Sequence, residues 1–279
     1  MTTVTVLLRP YRDTEDARPF GVVAEEHGEI VGRGWMDSWD EADGTRLHLL
    51  SGCVDPRWRR RGVGTAILRW LEERVDRTPG STFGVNVAPH ETGKLAMITA
   101  HGYRLAFTVV ELARDLNNLE PHPLPPGLVL RPVEPAHHPL IYAAIDECFA
   151  DSGHGHQTQT YDEYLRDVQD VELWTVAWAG DSVAAVVVNE RQPDGTASTP
   201  WVAVRPPWRR RGVGLALMSQ TLRTLADSGV TRARLRTVQE NPHNSVGLYE
   251  RAGYAIVDRQ PRYRKALDSP TYPEDMPHP

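Results

Sequence analysis

One eleven-residue motif occurs twice in this chain, and few sequence features constrain a fold more than an internal copy. Val54-Asp55-Pro56-Arg57-Trp58-Arg59-Arg60-Arg61-Gly62-Val63-Gly64 returns 150 residues later as Val204-Arg205-Pro206-Pro207-Trp208-Arg209-Arg210-Arg211-Gly212-Val213-Gly214. Only Asp55, replaced by Arg205, and Arg57, replaced by Pro207, differ. Two fainter echoes keep the same order: Leu8-Arg9-Pro10 with Leu130-Arg131-Pro132, and His101-Gly102-Tyr103 with Ala252-Gly253-Tyr254. Between the copies, Asn117 to Gly127 carries Pro121, Pro123, Pro125 and Pro126 and reads as an extended spacer. A chain of 279 residues is long enough for two cores. The pattern predicts a tandem repeat: a first copy over 1–116, a linker over 117–127, a second copy over 128–267, and a proline-rich tail over 268–279 that is loosely held.

Composition narrows the function classes. With 40% hydrophobic and 24% charged residues the chain is of ordinary globular make-up, not disordered, collagenous or coiled-coil. Its longest apolar stretch, around Val183 to Val188, is far short of the roughly 20 residues of a membrane helix, and no basic-then-apolar leader precedes Arg9. Cys53 and Cys148 have neither disulfide-framework nor metal-like spacing, which suits a reducing compartment, so the expected location is the cytoplasm, without membrane association or a metal. A net charge of -6 argues against a dedicated nucleic-acid binder.

In the second copy, a short strand at Leu128 to Arg131 is predicted to precede helices over Pro135 to Phe149 and Tyr161 to Val168. Strands follow over Val171 to Ala179, Val183 to Arg191 and Thr196 to Val204, the first two joined by the turn-like Gly180-Asp181. After the motif, Leu215, Leu217, Met218, Leu222 and Leu225 recur at helical spacing up to Ser228-Gly229. A strand over Arg232 to Val238, a helix near Ser245 to Arg251 and closing strands complete the copy. The class is α+β, built on a mixed, mostly antiparallel sheet flanked by helices. Arg9 to Phe20 leaves only about ten residues where the second copy has about forty, so the N-terminal copy lacks most of the first helical region.

The motif itself is an apolar strand, a loop of three arginines, and Gly-Val-Gly opening an amphipathic helix. Such a junction exposes unpaired backbone N–H groups at the positive end of a helix dipole, and glycine lets a bulky anion approach the backbone. It is suited to a pyrophosphate. Neither the Gly-Lys-Ser/Thr of a P-loop nor the three spaced glycines of a dinucleotide fold is present.

Arg59-Arg60-Arg61-Gly62-Val63-Gly64 and Arg209-Arg210-Arg211-Gly212-Val213-Gly214 resemble the Gln/Arg-x-x-Gly-x-Gly/Ala motif of GNAT-superfamily acyltransferases, and Asn244, Leu248-Tyr249-Glu250-Arg251 and Gly253-Tyr254 resemble that family's downstream segment. The likeness covers almost all of residues 128–267. The tandem layout resembles that of mycothiol synthase and related two-domain GNAT proteins. The resemblance implies two tandem GNAT-like domains using acetyl-CoA. Both arginine-glycine loops and Asn244 would serve the cosubstrate, the backbone of Val202, Ala203 and Val204 would pair with its pantetheine arm, and Tyr249 would protonate the departing thiolate. It implies acetyl transfer to the primary amine of a small molecule by direct attack, in the second copy.

No carboxylate matches the family's glutamate on the strand before the motif, where Ser198, Thr199 and Trp201 stand. Glu190 or Glu240 could act as base through water, and His154 and His156 could bind the acceptor or titrate. Acidic Asp146-Glu147, Asp151 and Asp162-Glu163 would favour a cationic acceptor. In the first copy Ile98 replaces Tyr249 and Gly93 replaces Asn244, and His48 stands where Ser198 does. The alternative is a non-catalytic CoA-binding sensor or scaffold, favoured by the depleted first copy and opposed by Tyr249. A monomer is expected, since the two copies can pack within one chain.

Overall fold

The computed structural model describes residues 6–11, 20–41, 43–75, 78, 80–150 and 159–267. The tail over 268–279, His154, His156, Asp151 and most of the short connection after Arg9 lie outside these. In chain order the elements are strands β1 (Leu7–Pro10), β2 (Gly21–Glu26), β3 (Glu29–Asp40) and β4 (Arg46–Val54), helix α1 (Val63–Glu72), β5 (Thr82–Asn86), α2 (Thr92–Ala100) and β6 (Arg104–Asp115). The second series is β7 (Val129–Leu130), α3 (His138–Phe149), α4 (Tyr161–Asp167), β8 (Thr175–Ala179), β9 (Ser182–Arg191), β10 (Ala197–Val204), α5 (Val213–Asp227), β11 (Arg232–Val238), α6 (Ser245–Arg251) and β12 (Ala255–Ala266). The class is α+β, and the sheets are mixed and mostly antiparallel with helices packed on them. The strand predicted from Val171 begins later, because Val171–Leu173 forms a single 3-10 turn.

Two compact units divide the chain, one formed by Met1–Phe107 with Gln260–Pro279 and the other by Thr108–Arg259. In the first unit β1, β2, β3 and β4 are antiparallel neighbours, β5 runs parallel to β4, and Arg262–Ala266 of β12 pair antiparallel with β5. In the second, Val109–Asp115 of β6 pair antiparallel with β11, β11 runs parallel to β10, and β9, β8 and β7 continue antiparallel. The compact units therefore differ from the sequence repeats: the strand closing each sheet comes from the other copy. The physical reason is that a strand offers the same ladder of N–H and C=O groups to any matching edge, so its own pattern does not say which edge it joins.

In the second unit β9 is buried on both faces. Ala185 and Val187 join the core under α5, with Leu217, Met218, Leu222 and Leu225, while Val186 and Val188 join a separate core under α3, with Ile141, Ala144 and Trp178. The alternation follows from the two-residue period of a strand. The proline-rich linker is docked on this unit. Leu119 and Leu124 pack against the α5 core, and the Ser219 hydroxyl accepts from the His122 N–H at 3.1 Å and donates to the Glu120 carbonyl at 2.7 Å. No helix among the described residues is long and apolar enough to cross a membrane.

Candidate active site

The two arginine-glycine loops fold alike. After β10, Pro206–Trp208 make one 3-10 turn, Arg210 takes a left-handed backbone (φ 60), and Gly212 caps α5 in the same region (φ 81) without any side-chain cap bond. A left-handed residue is costly for anything but glycine, so its presence at Arg210, and at Arg60 (φ 62) in the first unit, marks a loop shape held by its surroundings. Arg209 Nε donates to the Val204 carbonyl at 2.8 Å, and Arg211 stacks on Trp208 with its guanidinium carbon 5.4 Å from the ring centroid. The same pair of contacts recurs as Arg59 Nε to the Val54 carbonyl at 3.2 Å and Arg61 over Trp58 at 5.2 Å. Val213 and Val63 are buried anchors, whereas Arg210, Arg211 and Gly212, like Arg60, Arg61 and Gly62, face solvent.

The first-turn N–H groups of α5 thus meet no side-chain acceptor, and cations flank them: the donor set suits a pyrophosphate. Gly214 packs closely on its neighbours. A Cβ there would lie 3.3 Å from Leu248 Cδ2 and 3.6 Å from Val204 Cγ2. At Gly64 the neighbour is Met97 Sδ, 3.2 Å away.

Beside this loop the second unit's sheet opens. β10 pairs with β11 only at Ala197 and Ser198, and the register against β9 shifts between Ser198 and Trp201. Glu190 faces Ser198 and Val188 faces Trp201, so Asn189 alone stands opposite Thr199 and Pro200. Two residues against one is a β-bulge. Thr199 is 4% exposed and its hydroxyl donates to Asn189 Oδ1 at 2.8 Å, while Asn189, 0% exposed, donates through Nδ2 to the Leu173 carbonyl at 2.7 Å. Val202 and Val204 are half-buried and Ala203 is buried, on the stretch that has left β11.

Tyr249 is buried in α6, its ring edge-on to Tyr254 at 6.2 Å, and burial pushes its hydroxyl pKa well up, so the group stays protonated. Glu190 receives a long contact from Ser198 Oγ, 3.5 Å, and Gln192 Nε2 donates to the same hydroxyl at 2.9 Å. Asn244 caps α6, its Oδ1 accepting from the Gly247 N–H at 3.3 Å. Glu240 is tied into the fold, accepting from the Thr108 N–H at 2.9 Å. Two of the acids expected to attract a cationic acceptor are engaged elsewhere: Glu147 with Arg205 at 2.6 Å, and Glu163 in the capping box of Thr160. Asn189, Thr199 and Pro200 were not singled out from sequence, although a proline inside a strand pattern is itself a bulge signal.

The first unit keeps the loop, and its β4 also leaves β5 after Leu50, but it lacks the bulge and the tyrosine. Its β3–β4 register runs without a break from Gly32 opposite Val54 to Asp40 opposite Arg46, and Ile98, fully buried, holds the place of Tyr249. His48 is 7% exposed, its Nδ1 2.8 Å from Ser38 Oγ, and burial together with Arg46 lowers its pKa.

Comparison with known proteins agrees with this fold and loop. The family described as "Acetyltransferase (GNAT) family" matches residues 3–103 and 139–254. The chain belongs to that family and is an acyltransferase that uses acetyl-CoA. Among its relatives, a protein named mycothiol acetyltransferase from Salinispora arenicola is 30% identical, over 86% of this chain and 79% of that one. Another of the same name from Geodermatophilus obscurus is 28% identical, over 91% of this chain and 90% of that one. A crystal structure of a GCN5-related N-acetyltransferase from Sphaerobacter thermophilus superimposes with a TM-score of 0.71 at 25% identity, over 92% of this chain and 84% of that one. A tandem GNAT protein from the clavulanic acid biosynthesis pathway shares the fold, with a TM-score of 0.59 at 18% identity over 91% of this chain and 86% of that one.

Proposed function

We propose that the second unit, Thr108–Arg259, carries out N-acetylation of a small-molecule primary amine, and that the first unit's loop is at most a second, non-catalytic CoA site. The observation that carries this reading is the bulge at Thr199 and Pro200 beside the Arg209–Gly214 loop, a feature the first unit's unbroken ladder lacks.

In this reading Arg209, Arg210 and Arg211 and the first-turn amides of α5 hold the pyrophosphate, and the freed backbone of Val202, Ala203 and Val204 pairs with the pantetheine arm. The acceptor nitrogen attacks the thioester carbonyl, a C–N bond forms, the C–S bond breaks, and the departing thiolate takes the Tyr249 proton. Tyr249 regains a proton from solvent. Backbone donors beside the bulge stabilise the charge that develops on the carbonyl oxygen. The amine must lose a proton, and Glu190, half-buried and beside Ser198, is the nearest carboxylate on the neighbouring strand to accept it through water. Asn244 contributes by fixing the first turn of α6 that carries Tyr249.

The relatives' name puts amines of mycothiol chemistry first in a panel of acceptors. With acetyl-CoA supplied, the expected result is CoA release coupled to one acetyl group on the acceptor nitrogen. Acetyl-CoA binding without transfer to any amine of the panel would contradict the catalytic reading and favour a sensor.

A further inference from the structure

Resting on the assignment of catalysis to the second unit, we infer that Thr199 and Asn189 are positioning residues for acetyl transfer, holding the β10 bulge in the shape that the thioester must meet.

A bulge is an interruption that the ladder tends to repair, because restoring the register would pair two more backbone groups. Three residues oppose that repair here. Pro200 has no N–H to give back to a ladder. The Thr199 hydroxyl donates to Asn189 Oδ1 at 2.8 Å, which ties the extra residue to the single residue facing it. Asn189 in turn donates to the Leu173 carbonyl at 2.7 Å, outside the β9–β10 pair, so the bulge is fastened to the turn that precedes β8. The Thr199 and Asn189 side chains are both buried, and each of their polar atoms has a partner. Slipping the register by one residue would pull the Thr199 hydroxyl from its acceptor in a buried site, at the cost of an unsatisfied buried group.

The first unit provides an internal control. At the same offset of the repeat, Leu49 and Leu50 replace Thr199 and Pro200, and the β3–β4 ladder there is unbroken. The first unit's β4 stays paired with β5 from Leu47 to Leu50, whereas β10 leaves β11 after Ser198. The same arginine-glycine loop therefore sits behind a bulged strand only where the threonine and proline are present. The bulge lies upstream of the loop, so it governs where the thioester carbonyl sits, not how the pyrophosphate is held.

The test compares Thr199→Val, which keeps volume and removes the hydroxyl, with Thr199→Ser, which keeps the hydroxyl. Acetyl-CoA is prebound and a competent amine added in excess. A misplaced reacting centre is expected to lower the single-turnover rate of Thr199→Val by about 10- to 100-fold. Its acetyl-CoA Kd should stay within about threefold of wild type, because the charged contacts lie elsewhere, and Thr199→Ser should recover most of the rate. If Thr199→Val does not fold, Thr199→Ala serves with the same expectation. A folded hydroxyl-free variant with the wild-type single-turnover rate, or an equal loss in Thr199→Ser, would overturn the proposal. Gly214→Glu, measured alongside, separates the two levels. If it abolishes transfer while Thr199→Val is silent, only the positioning role fails; if Gly214→Glu leaves transfer intact, the catalytic assignment fails and the positioning role with it.

Discussion

Tyr249 and Ile98 hold one place in two copies of the same segment, and of the two only Tyr249 carries a hydroxyl that chemistry can use. Tyr249→Phe keeps the ring and its packing on Tyr254. General-acid help is worth about 100- to 10,000-fold in rate, so the single-turnover rate is expected to fall within that range while acetyl-CoA affinity holds. An unchanged rate across pH would remove Tyr249 from the proton path. Residues of this kind were legible because the chemistry is local: three arginines, two glycines and a tyrosine lie in short segments whose spacing is their signature. The Thr199–Asn189 pair was not, since its members sit on different strands and meet only through a register that the bulge itself sets. Pro200 was the one trace of it in the sequence.

At the scale of elements, the helices and strands of the second copy follow their periodicity closely, and the exchanged closing strands do not follow from it at all. Alternation along β6 or β12 tells which face is apolar and nothing about which sheet is joined. The first unit shows what fastens its borrowed strand. Lys265 Nζ donates to Glu72 Oε2 at 2.9 Å, and the Tyr103 hydroxyl donates to Glu72 Oε1 at 2.8 Å, with the Glu72 side chain only 12% exposed. Glu72→Gln is expected to destabilise this unit by about 2 kcal/mol, the worth of charge-assisted bonds in a shielded place. Thermal unfolding checks it, and an unchanged midpoint would show that the antiparallel ladder of Arg262–Ala266 with β5 holds the strand without Glu72. Removing residues 260–279 deprives β5 of its antiparallel partner and should cost far more, leaving the Thr108–Arg259 unit to melt by itself.

Among the described residues each unit contains one buried histidine whose pKa is lowered, His48 by burial and Arg46, and His138 by burial and His137. His138 also lies 2.9 Å from the Tyr164 hydroxyl through Nδ1. Both bind a proton less readily in the fold than in the unfolded chain. Stability is therefore full above the ordinary histidine pKa of about 6.5 and declines as pH falls through it towards the lower folded values. Melting curves from pH 7.5 to pH 5, both about one unit or more from that value, should show His48→Gln losing less stability than wild type. A parallel decline in both would assign the acid sensitivity elsewhere. The molecule is asymmetric at its core chemistry: of two nearly identical loops, only the second follows a bulged strand and has a tyrosine beside it. This asymmetry is tested most directly by measuring acetyl transfer in Gly64→Glu and Gly214→Glu, each confirmed folded. A side chain at Gly214 meets Leu248 and sets a negative charge among the groups that hold the pyrophosphate, so Gly214→Glu should abolish transfer and Gly64→Glu should spare it. Transfer that survives Gly214→Glu and is lost in Gly64→Glu would place the enzyme in the first unit and contradict the account.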